Sequence, residues 1–136
     1  MYLNKGKDSV DFNKVLKYTQ LILKDYPFNI EQVFITGIAY DKLGEENLSK
    51  IWLKKYSNLI KTILSSGNGN EPDSAYIVIK VSDEYAVLDA LELNLKMQSL
   101  IDKKKKWYDL MSVEINQYGI EKVYFDINLF FGNRKE

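Results

Sequence analysis

PFNIEQVFITGIAYDKLG, residues 27–44, carries both boundaries of one helix and so decides the first half of the fold. Pro27 ends the helix before it, because proline lacks a backbone donor and its ring clashes with the preceding turn. Asn29 is a favourable N-cap, which predicts that the next helix begins near Ile30. Gly44 follows the last apolar residue, and glycine accepts the left-handed conformation that ends a helix. The stretch therefore predicts one helix between a cap and a tight turn.

The spacing within this stretch resembles the helical hairpin of a tetratricopeptide (TPR) repeat. Pro27, Gly37, Tyr40 and Gly44 stand at the offsets of that repeat, and Gly37 lacks the side chain that would keep a neighbouring helix away. At Lys61, one repeat period after Pro27, the proline expected of a further repeat is missing. We therefore expect one hairpin with one preceding helix, and close antiparallel packing at Gly37.

Helical periodicity extends on both sides of this stretch. Ser9 can cap a first helix that runs to about Asp25, after a frayed lead-in at 1–8. The second hairpin helix covers about 45–64. Residues 65–74, SSGNGNEPDS, then interrupt every regular period and mark the switch from helices to sheet.

Beyond that loop the apolar residues alternate, which is the period of β-strands. Residues 75–81 are apolar on both faces and predict a covered strand. Ser82 can then cap a short helix, with Asp83 and Glu84 near its N-terminal dipole and Tyr85 turned inward.

Three later segments continue the strand pattern: 93–97, 106–115 and 121–131. Gly119 permits a hairpin turn between the last two segments. The clearest buried row on the last strand is Val123, Phe125, Ile127 and Leu129. The facing row stays open, because a one-residue change of register exchanges one set of side chains for another. The two sets are Trp107, Met111 and Val113, or Tyr108, Leu110 and Ser112.

These patterns predict an α+β fold in a single domain over residues 1–136. A TPR-like helical hairpin with one preceding helix comes first, followed by a small, mostly antiparallel sheet of about four strands with one short helix. The helices, the connecting loop, the β-rich part and a tail occupy, in this order, residues 1–64, 65–74, 75–131 and 132–136.

The composition excludes several classes of function. Nineteen basic residues balance nineteen acidic ones, so no global field favours nucleic acid or anionic membranes. The chain has no cysteine and no histidine, which removes thiol chemistry, the commonest general base and the usual ligands of transition metals. We therefore expect no metal and no cofactor. No segment reaches the apolar length of a membrane span, and the first residues are too polar for a secretion signal.

Carboxylates are the remaining material for catalysis. Asp83 and Glu84 begin the short helix, and Asp109 and Asp126 lie on strands that we expect to be neighbours, which leaves a glycosidase-like pair open. Acids at helix starts are normally caps and strand acids normally face water, so the structural interpretation is favoured. The four lysines at 103–106 are likewise interpreted as a solvated hairpin turn that discourages edge association.

Six short motifs are spread over the second half of the chain: Ile63-Leu64-Ser65-Ser66-Gly67, Ser82-Asp83-Glu84-Tyr85, Gln98-Ser99-Leu100, Tyr108-Asp109-Leu110, Tyr118-Gly119-Ile120 and Tyr124-Phe125-Asp126. With the helical region from about Phe12, they resemble a family described as domain of unknown function 4919, found chiefly in Bacteroidetes. Members of that family often carry histidine where Asp83 stands and an acidic residue where Ala86 stands.

The resemblance implies TPR-like helices before a β-rich end, and no established activity. Members tend to have a longer helical region upstream and often a secretion signal, which implies a periplasmic, cell-surface or secreted location.

These observations favour a non-catalytic protein- or peptide-binding or scaffolding module of the bacterial cell envelope, as a monomer or weak oligomer. The alternative is a carboxylate-dependent hydrolase or a glycan-binding protein. The predicted binding site is the short helix start at Ser82, Asp83, Glu84 and Tyr85, because backbone donors converge there beside an aromatic ring.

Overall fold

A computed structural model describes residues 9–131, so the predicted lead-in at 1–8 and tail at 132–136 lie outside the described residues. The fold is α+β, with three helices before a four-stranded sheet and a fourth helix inserted between its strands. The chain divides into two compact units, and the boundary falls between Asn58 and Leu59. We call them the helical unit and the sheet unit. The expectation of a single domain remains a prediction.

The helical unit begins with α1 (Phe12–Asp25), which starts at a different cap from the one expected. The side chain of Asp11, not Ser9, accepts a hydrogen bond from the Lys14 amide at 3.2 Å. Both residue types are favourable caps, and the one adjacent to the first helical residue takes the position. The helix ends just before Pro27, as predicted.

The second helix confirms the prediction from residues 27–44. Helix α2 (Ile30–Lys42) starts after Asn29, whose side-chain oxygen accepts a hydrogen bond from the Gln32 amide at 3.1 Å. Gly44 has a φ of 80°, the left-handed conformation that glycine adopts without strain. The chain then turns into α3 (Glu46–Leu64), which crosses the boundary between the units.

Helices α2 and α3 pack closely at Gly37, as its missing side chain predicts. A Cβ atom there would lie 2.6 Å from Cδ2 of Leu53, which is well inside van der Waals contact. The Ser49 hydroxyl donates to the Gly37 carbonyl at 2.8 Å, and the bond is buried. Further along the hairpin, the rings of Phe34 and Tyr56 lie 4.9 Å apart.

The loop at 65–74 is fastened by hydrogen bonds rather than free. The amides of Asn68 and Gly69 both donate to the Ser74 carbonyl, at 2.9 and 2.8 Å. The Gly69 carbonyl in turn accepts from the Tyr124 amide at 2.8 Å. A short 3-10 helix, Pro72–Ser74, completes this loop.

The strand expected at 75–81 is much shorter than predicted. Strand β1 (Tyr76–Ile77) has two residues, and α4 (Val81–Ala90) already begins four residues later. The Asp83 carboxylate accepts a hydrogen bond from the Ile79 amide at 3.1 Å. This bond turns the chain into the helix and ends the strand.

Three longer strands follow: β2 (Leu95–Lys103), β3 (Lys106–Val113) and β4 (Lys122–Asp126). The spatial order is β1-β4-β3-β2. The pairs β2–β3 and β3–β4 are antiparallel, and β1 runs parallel to β4. Lys104 and Lys105 form the turn before β3 with φ values of 53° and 66°, which confirms the predicted lysine hairpin.

The register of the last hairpin is settled by which side chains are buried. Met111 and Val113 are buried on β3, and Met111 pairs with Val123 of β4. The row that contains Trp107 therefore faces the core, although Tyr108 from the other row is also buried.

On the last strand, three of the four predicted core residues are buried: Val123, Phe125 and Ile127. Leu129 is 58% exposed, because β4 ends at Asp126 and the chain then turns at Asn128. Within residues 9–131, no helix combines the length and the hydropathy that crossing a membrane requires.

Candidate functional site

The predicted site at the start of α4 is built differently from the expectation. The N-cap is Lys80, so Ser82 is an exposed residue of the first helical turn and does not cap the helix. Asp83 is buried, and its carboxylate bonds to the Ile79 amide at 3.1 Å. Burial raises the pKa of Asp83, while this bond and the charge of Lys80 oppose the rise. Asp83 therefore acts as part of the helix start.

Glu84 is the unusual residue of this region. Its side chain is fully buried, at 0% exposure, and neither carboxyl oxygen has a hydrogen-bond partner among residues 9–131. Burial is the main cause that raises the pKa of Glu84 from its ordinary 4.5 to about 9. The Asp109 carboxylate does not form a hydrogen bond of good geometry with Glu84, but it lies close enough to favour the protonated form of Glu84. The charge of Asp83 raises the pKa of Glu84 as well. Glu84 is thus a neutral acid at pH 7.

A chain of hydrogen bonds runs from Tyr85 at the surface to the buried Asp109. Its hydroxyl donates to Oε1 of Gln98 at 2.9 Å. The Gln98 amide group donates to Oδ2 of Asp109 at 3.5 Å, and Asp109 is 7% exposed. Tyr85 itself is exposed, so the prediction that it turns inward is wrong. The four predicted residues therefore divide into two that solvent reaches, Ser82 and Tyr85, and two that it does not.

The carboxylate pair considered on the strands does not form. Asp109 pairs with Phe125 across β3 and β4, while Asp126 pairs with Tyr108. A shift of one residue along a strand places a side chain on the opposite face of the sheet, so Asp109 and Asp126 face away from each other. Asp109 instead approaches Glu84 of α4. This pair was not predictable from the sequence, because the alternation left the register of β3 open.

The Glu84–Asp109 pair has the electrostatics of an acid–base site but not its access. Each Glu84 oxygen exposes less than 1 Å² to solvent, and a general acid must come within hydrogen-bond distance of its substrate. In the part of the chain that the structure describes, no group of three or more potential ligands is arranged to hold a metal ion. The cluster is therefore a buried polar feature of the sheet unit.

An open groove lies on the helical unit, and none of the predicted site residues is in its lining. Its volume is about 870 Å³, and side chains of all three helices line it. The lining residues are Asn13, Leu16, Lys17, Gln20, Leu21, Leu23, Lys24, Pro27, Tyr40, Trp52 and Lys55. We call this surface the helical groove.

Apolar side chains and positive charge meet in the helical groove. Leu21 is 65% exposed, while Trp52 and Tyr40 are half-buried. The Lys55 ammonium lies 4.4 Å from the centre of the Trp52 ring, within the range of a cation–π contact. Among the described residues, the lining contains three lysines and no carboxylate. The groove thus presents apolar anchors beside uncompensated positive charge, in a chain whose net charge is zero.

A second, smaller groove of about 450 Å³ lies between α1 and α2. Its charged lining residues are one acid and one base, Asp11 and Lys14, so it has no preference of sign. The helical groove is therefore the more selective surface.

Only the α1 part of the helical groove has a signal in the sequence. Lys17 and Lys24 are seven residues apart and share a helix face, and Leu21 lies between them on a face that should be polar. A single exposed apolar residue is ordinary on a protein surface, so Leu21 becomes a signal of binding only beside the Trp52 and Tyr40 rings that the packing brings to it.

One comparison with known proteins finds a match over nearly the whole chain. The model of a family described as Domain of unknown function (DUF4919) matches residues 1–135. No curated protein matches the chain, and no solved structure matches it.

Proposed function

The chain belongs to this family, whose description assigns no activity, and we propose that it is a non-catalytic module that binds an acidic, partly apolar peptide segment of a partner protein. The observation that carries the proposal is the helical groove, with its exposed Leu21, its Trp52 and Tyr40 rings and its three lysines. Grooves of this kind bind a helix or an extended segment through a few apolar anchors.

Charge decides which partner fits the groove. Lys17, Lys24 and Lys55 have no carboxylate beside them in the lining, so a segment with Asp or Glu next to its apolar anchors would supply the missing counter-charge. A basic segment would meet like charges instead. The groove also has two aromatic residues, a type that often dominates the energy of protein interfaces. We therefore expect the aromatic and leucine side chains to give affinity and the lysines to give selectivity.

Two finer parts of the proposal rest on the sequence patterns. The capped helix α2, its close contact with α3 at Gly37 and the turn at Gly44 support a TPR-like hairpin as the scaffold of the groove. The resemblance to a family found chiefly in Bacteroidetes supports a role in the bacterial cell envelope, in the periplasm, at the cell surface or in secreted form.

The predicted site at 82–85 keeps a smaller role in the proposal. Ser82 and Tyr85 are the two of its four residues that a ligand can reach, and the Tyr85–Gln98 pair offers a polar contact for a neutral ligand such as a glycan. The hydrolase alternative is not favoured, because Glu84 is enclosed.

Fluorescence anisotropy with two labelled synthetic peptides tests the groove. Both peptides carry the same leucine and tryptophan anchors, and the flanking positions are Glu in one and Lys in the other. We expect the acidic peptide to bind the full chain and the basic peptide to bind at least about tenfold more weakly. Reversal of two charges, Lys17→Glu with Lys24→Glu, should remove this preference, and Trp52→Ala should weaken both peptides.

The matched control is Lys61→Glu, which reverses an exposed lysine of α3 that does not line the groove. If this control weakens acidic-peptide binding as much as the double reversal in the groove does, the attraction is diffuse and the site assignment is wrong. Tyr85→Phe should leave peptide binding unchanged. A loss of binding in Tyr85→Phe would move the site to residues 82–85.

A further inference from the structure

Strand β2 lies at the edge of the sheet with one side open. It has nine residues and pairs only with β3 among the described strands, and no hydrogen bond within residues 9–131 joins its outer backbone groups to another segment. Met97 is 61% exposed and Leu100 is 49% exposed on this strand. A long edge strand with exposed apolar residues is a template for pairing with another strand.

The hairpin determines which backbone groups of β2 face outward. Lys103 and Lys106 flank a two-residue turn, so they form a hydrogen-bonded pair, and every second residue back along β2 also bonds to β3. Residues 101, 99 and 97 therefore bond inward. The amides and carbonyls of Gln98, Leu100 and Asp102 are left to face the open edge.

The side chains of β2 match a second copy of the same strand in one register. With a twofold axis at Ser99, Gln98 of one copy lies opposite Leu100 of the other, so outward backbone groups meet outward ones. The same axis places Lys96 opposite Asp102 and Met97 opposite Ile101. Opposite charges and apolar side chains directly across from each other both stabilise antiparallel strands.

Neighbouring registers lose these matches. A twofold axis at Leu100 would place Lys96 opposite Lys104 and Met97 opposite Lys103. An axis at Gln98 would place Asp102 opposite Asn94 and leave the Lys96 charge facing Leu100. An axis between two residues would set outward backbone groups against inward ones. The sequence of β2 thus favours a single register for self-pairing.

We propose that two copies of this chain associate through β2, antiparallel about a twofold axis at Ser99, to form one continuous sheet. The interface is isologous, so each charge pair between Lys96 and Asp102 occurs twice. The lysine turn at 103–106 ends the contact on one side and the β-bulge at Lys96 ends it on the other, so Lys96 and Asp102 form its outermost pair. The association is therefore weak, with a dissociation constant on the order of 10 µM to 1 mM.

Sedimentation velocity of the full chain between about 10 µM and 1 mM tests the association, together with a charge-swap series. Lys96 and Asp102 are both exposed, so their substitutions leave the fold intact, and thermal melting verifies this. Lys96→Asp and Asp102→Lys each create two repulsive pairs per dimer and should weaken the dimer at least about tenfold. The double variant Lys96→Asp/Asp102→Lys restores opposite charges and should recover the wild-type constant. Lys54→Asp, a charge change on α3, is the matched control.

Amide hydrogen exchange gives a second readout with residue resolution. Protection of the Gln98, Leu100 and Asp102 amides should rise with protein concentration, while Ser99 and Ile101 stay protected throughout. A chain that remains monomeric to 1 mM overturns the proposal. A dimer that is unaffected by both single variants, or that the double variant fails to restore, overturns the register and places the contact elsewhere.

Discussion

The helical groove and the buried cluster around Glu84 use charged side chains in opposite ways. In the groove, lysines surround an open apolar surface without a counter-charge. In the cluster, three acids at the start of α4 and on β3 are covered, and one of them has lost its charge at pH 7. Uncompensated charge at an open surface attracts a partner, whereas enclosed acids adjust their protonation and serve the fold. Surface access, rather than residue type, separates the candidate site from the structural cluster.

This contrast depends on a closed interior in the sheet unit, and Phe125→Ala tests it with the largest expected effect. Phe125 is fully buried at the centre of the sheet, between β1 and β3. Removal of its ring should lower the free energy of unfolding by about 3–5 kcal/mol. Chemical denaturation followed by circular dichroism measures the change.

The matched control is Leu129→Ala, in the same predicted row but 58% exposed. We expect it to change the free energy of unfolding by less than about 1 kcal/mol. Equal losses in the two variants would show that Leu129 is packed in solution and that the buried row continues to it.

The second prediction concerns Glu84 and the pH dependence of stability. The unfolded chain releases the Glu84 proton near pH 4.5, whereas the folded chain holds it to about pH 9. Between these values the folded state binds more protons, so stability falls as pH rises, by at most about 1.4 kcal/mol per pH unit. This contribution is fully present below pH 4.5 and is lost above pH 9. The raised pKa of Asp83 acts with the same sign.

Glu84→Gln removes the titration while it keeps the shape of the side chain. Denaturation between pH 5 and 10 should show a flatter profile for Glu84→Gln than for the wild type. Glu114→Gln, an exposed acid on the same unit, should retain the wild-type slope. Parallel profiles for wild type and Glu84→Gln would mean that water reaches Glu84 and that the cluster is open, which would return catalysis to consideration.

Gly37→Leu tests the packing of the helical unit, with an expected loss of stability of intermediate size. The new side chain would collide with Leu53, whose Cδ2 already lies 2.6 Å from the position of a Cβ atom. Overpacking should cost about 1–3 kcal/mol, as thermal and chemical denaturation would show. The groove residues Tyr40 and Trp52 lie on the same two helices, so peptide binding should weaken as well.

A second variant checks the cause of this loss. Combining Gly37→Leu with Leu53→Ala removes the side-chain atoms that the new group meets, and the pair should be less destabilised than the sum of the single changes. Strict additivity would show that Gly37 does not contact Leu53.

The sequence predicted the helical unit well because local signals determine it. Asn29, Pro27 and Gly44 act through bonds and conformations within a few residues, and each takes the predicted role. The candidate site was not predictable in this way. The groove depends on how the Lys17 face of α1 lies beside Trp52 of α3, which is a property of packing and not of a motif.

In the sheet unit, too, contacts between elements were not predictable from the sequence pattern. Alternation located β3 and β4, whereas β2 runs to Lys103, well past the segment expected at 93–97. A period of two residues also does not distinguish one register from the next. The contact between Glu84 and Asp109 follows from that register, so only the structure revealed it. The short β1 was also missed, because apolar residues at 75–81 are compatible with a strand until the Asp83–Ile79 bond starts a helix.

The smallest effect is expected at the first helix cap, where local signals alone left two candidates. The Asp11 side chain accepts a hydrogen bond from the Lys14 amide. Loss of this bond in Asp11→Ala should lower the free energy of unfolding by about 1 kcal/mol. Ser9→Ala should have no effect beyond about 0.5 kcal/mol, because Ser9 is exposed and lies outside the helix. Asp11→Asn keeps the acceptor oxygen and should behave as the wild type. If Ser9→Ala is the more destabilising change, α1 begins earlier in solution than Phe12. The set of α1 residues that line the groove would then be different.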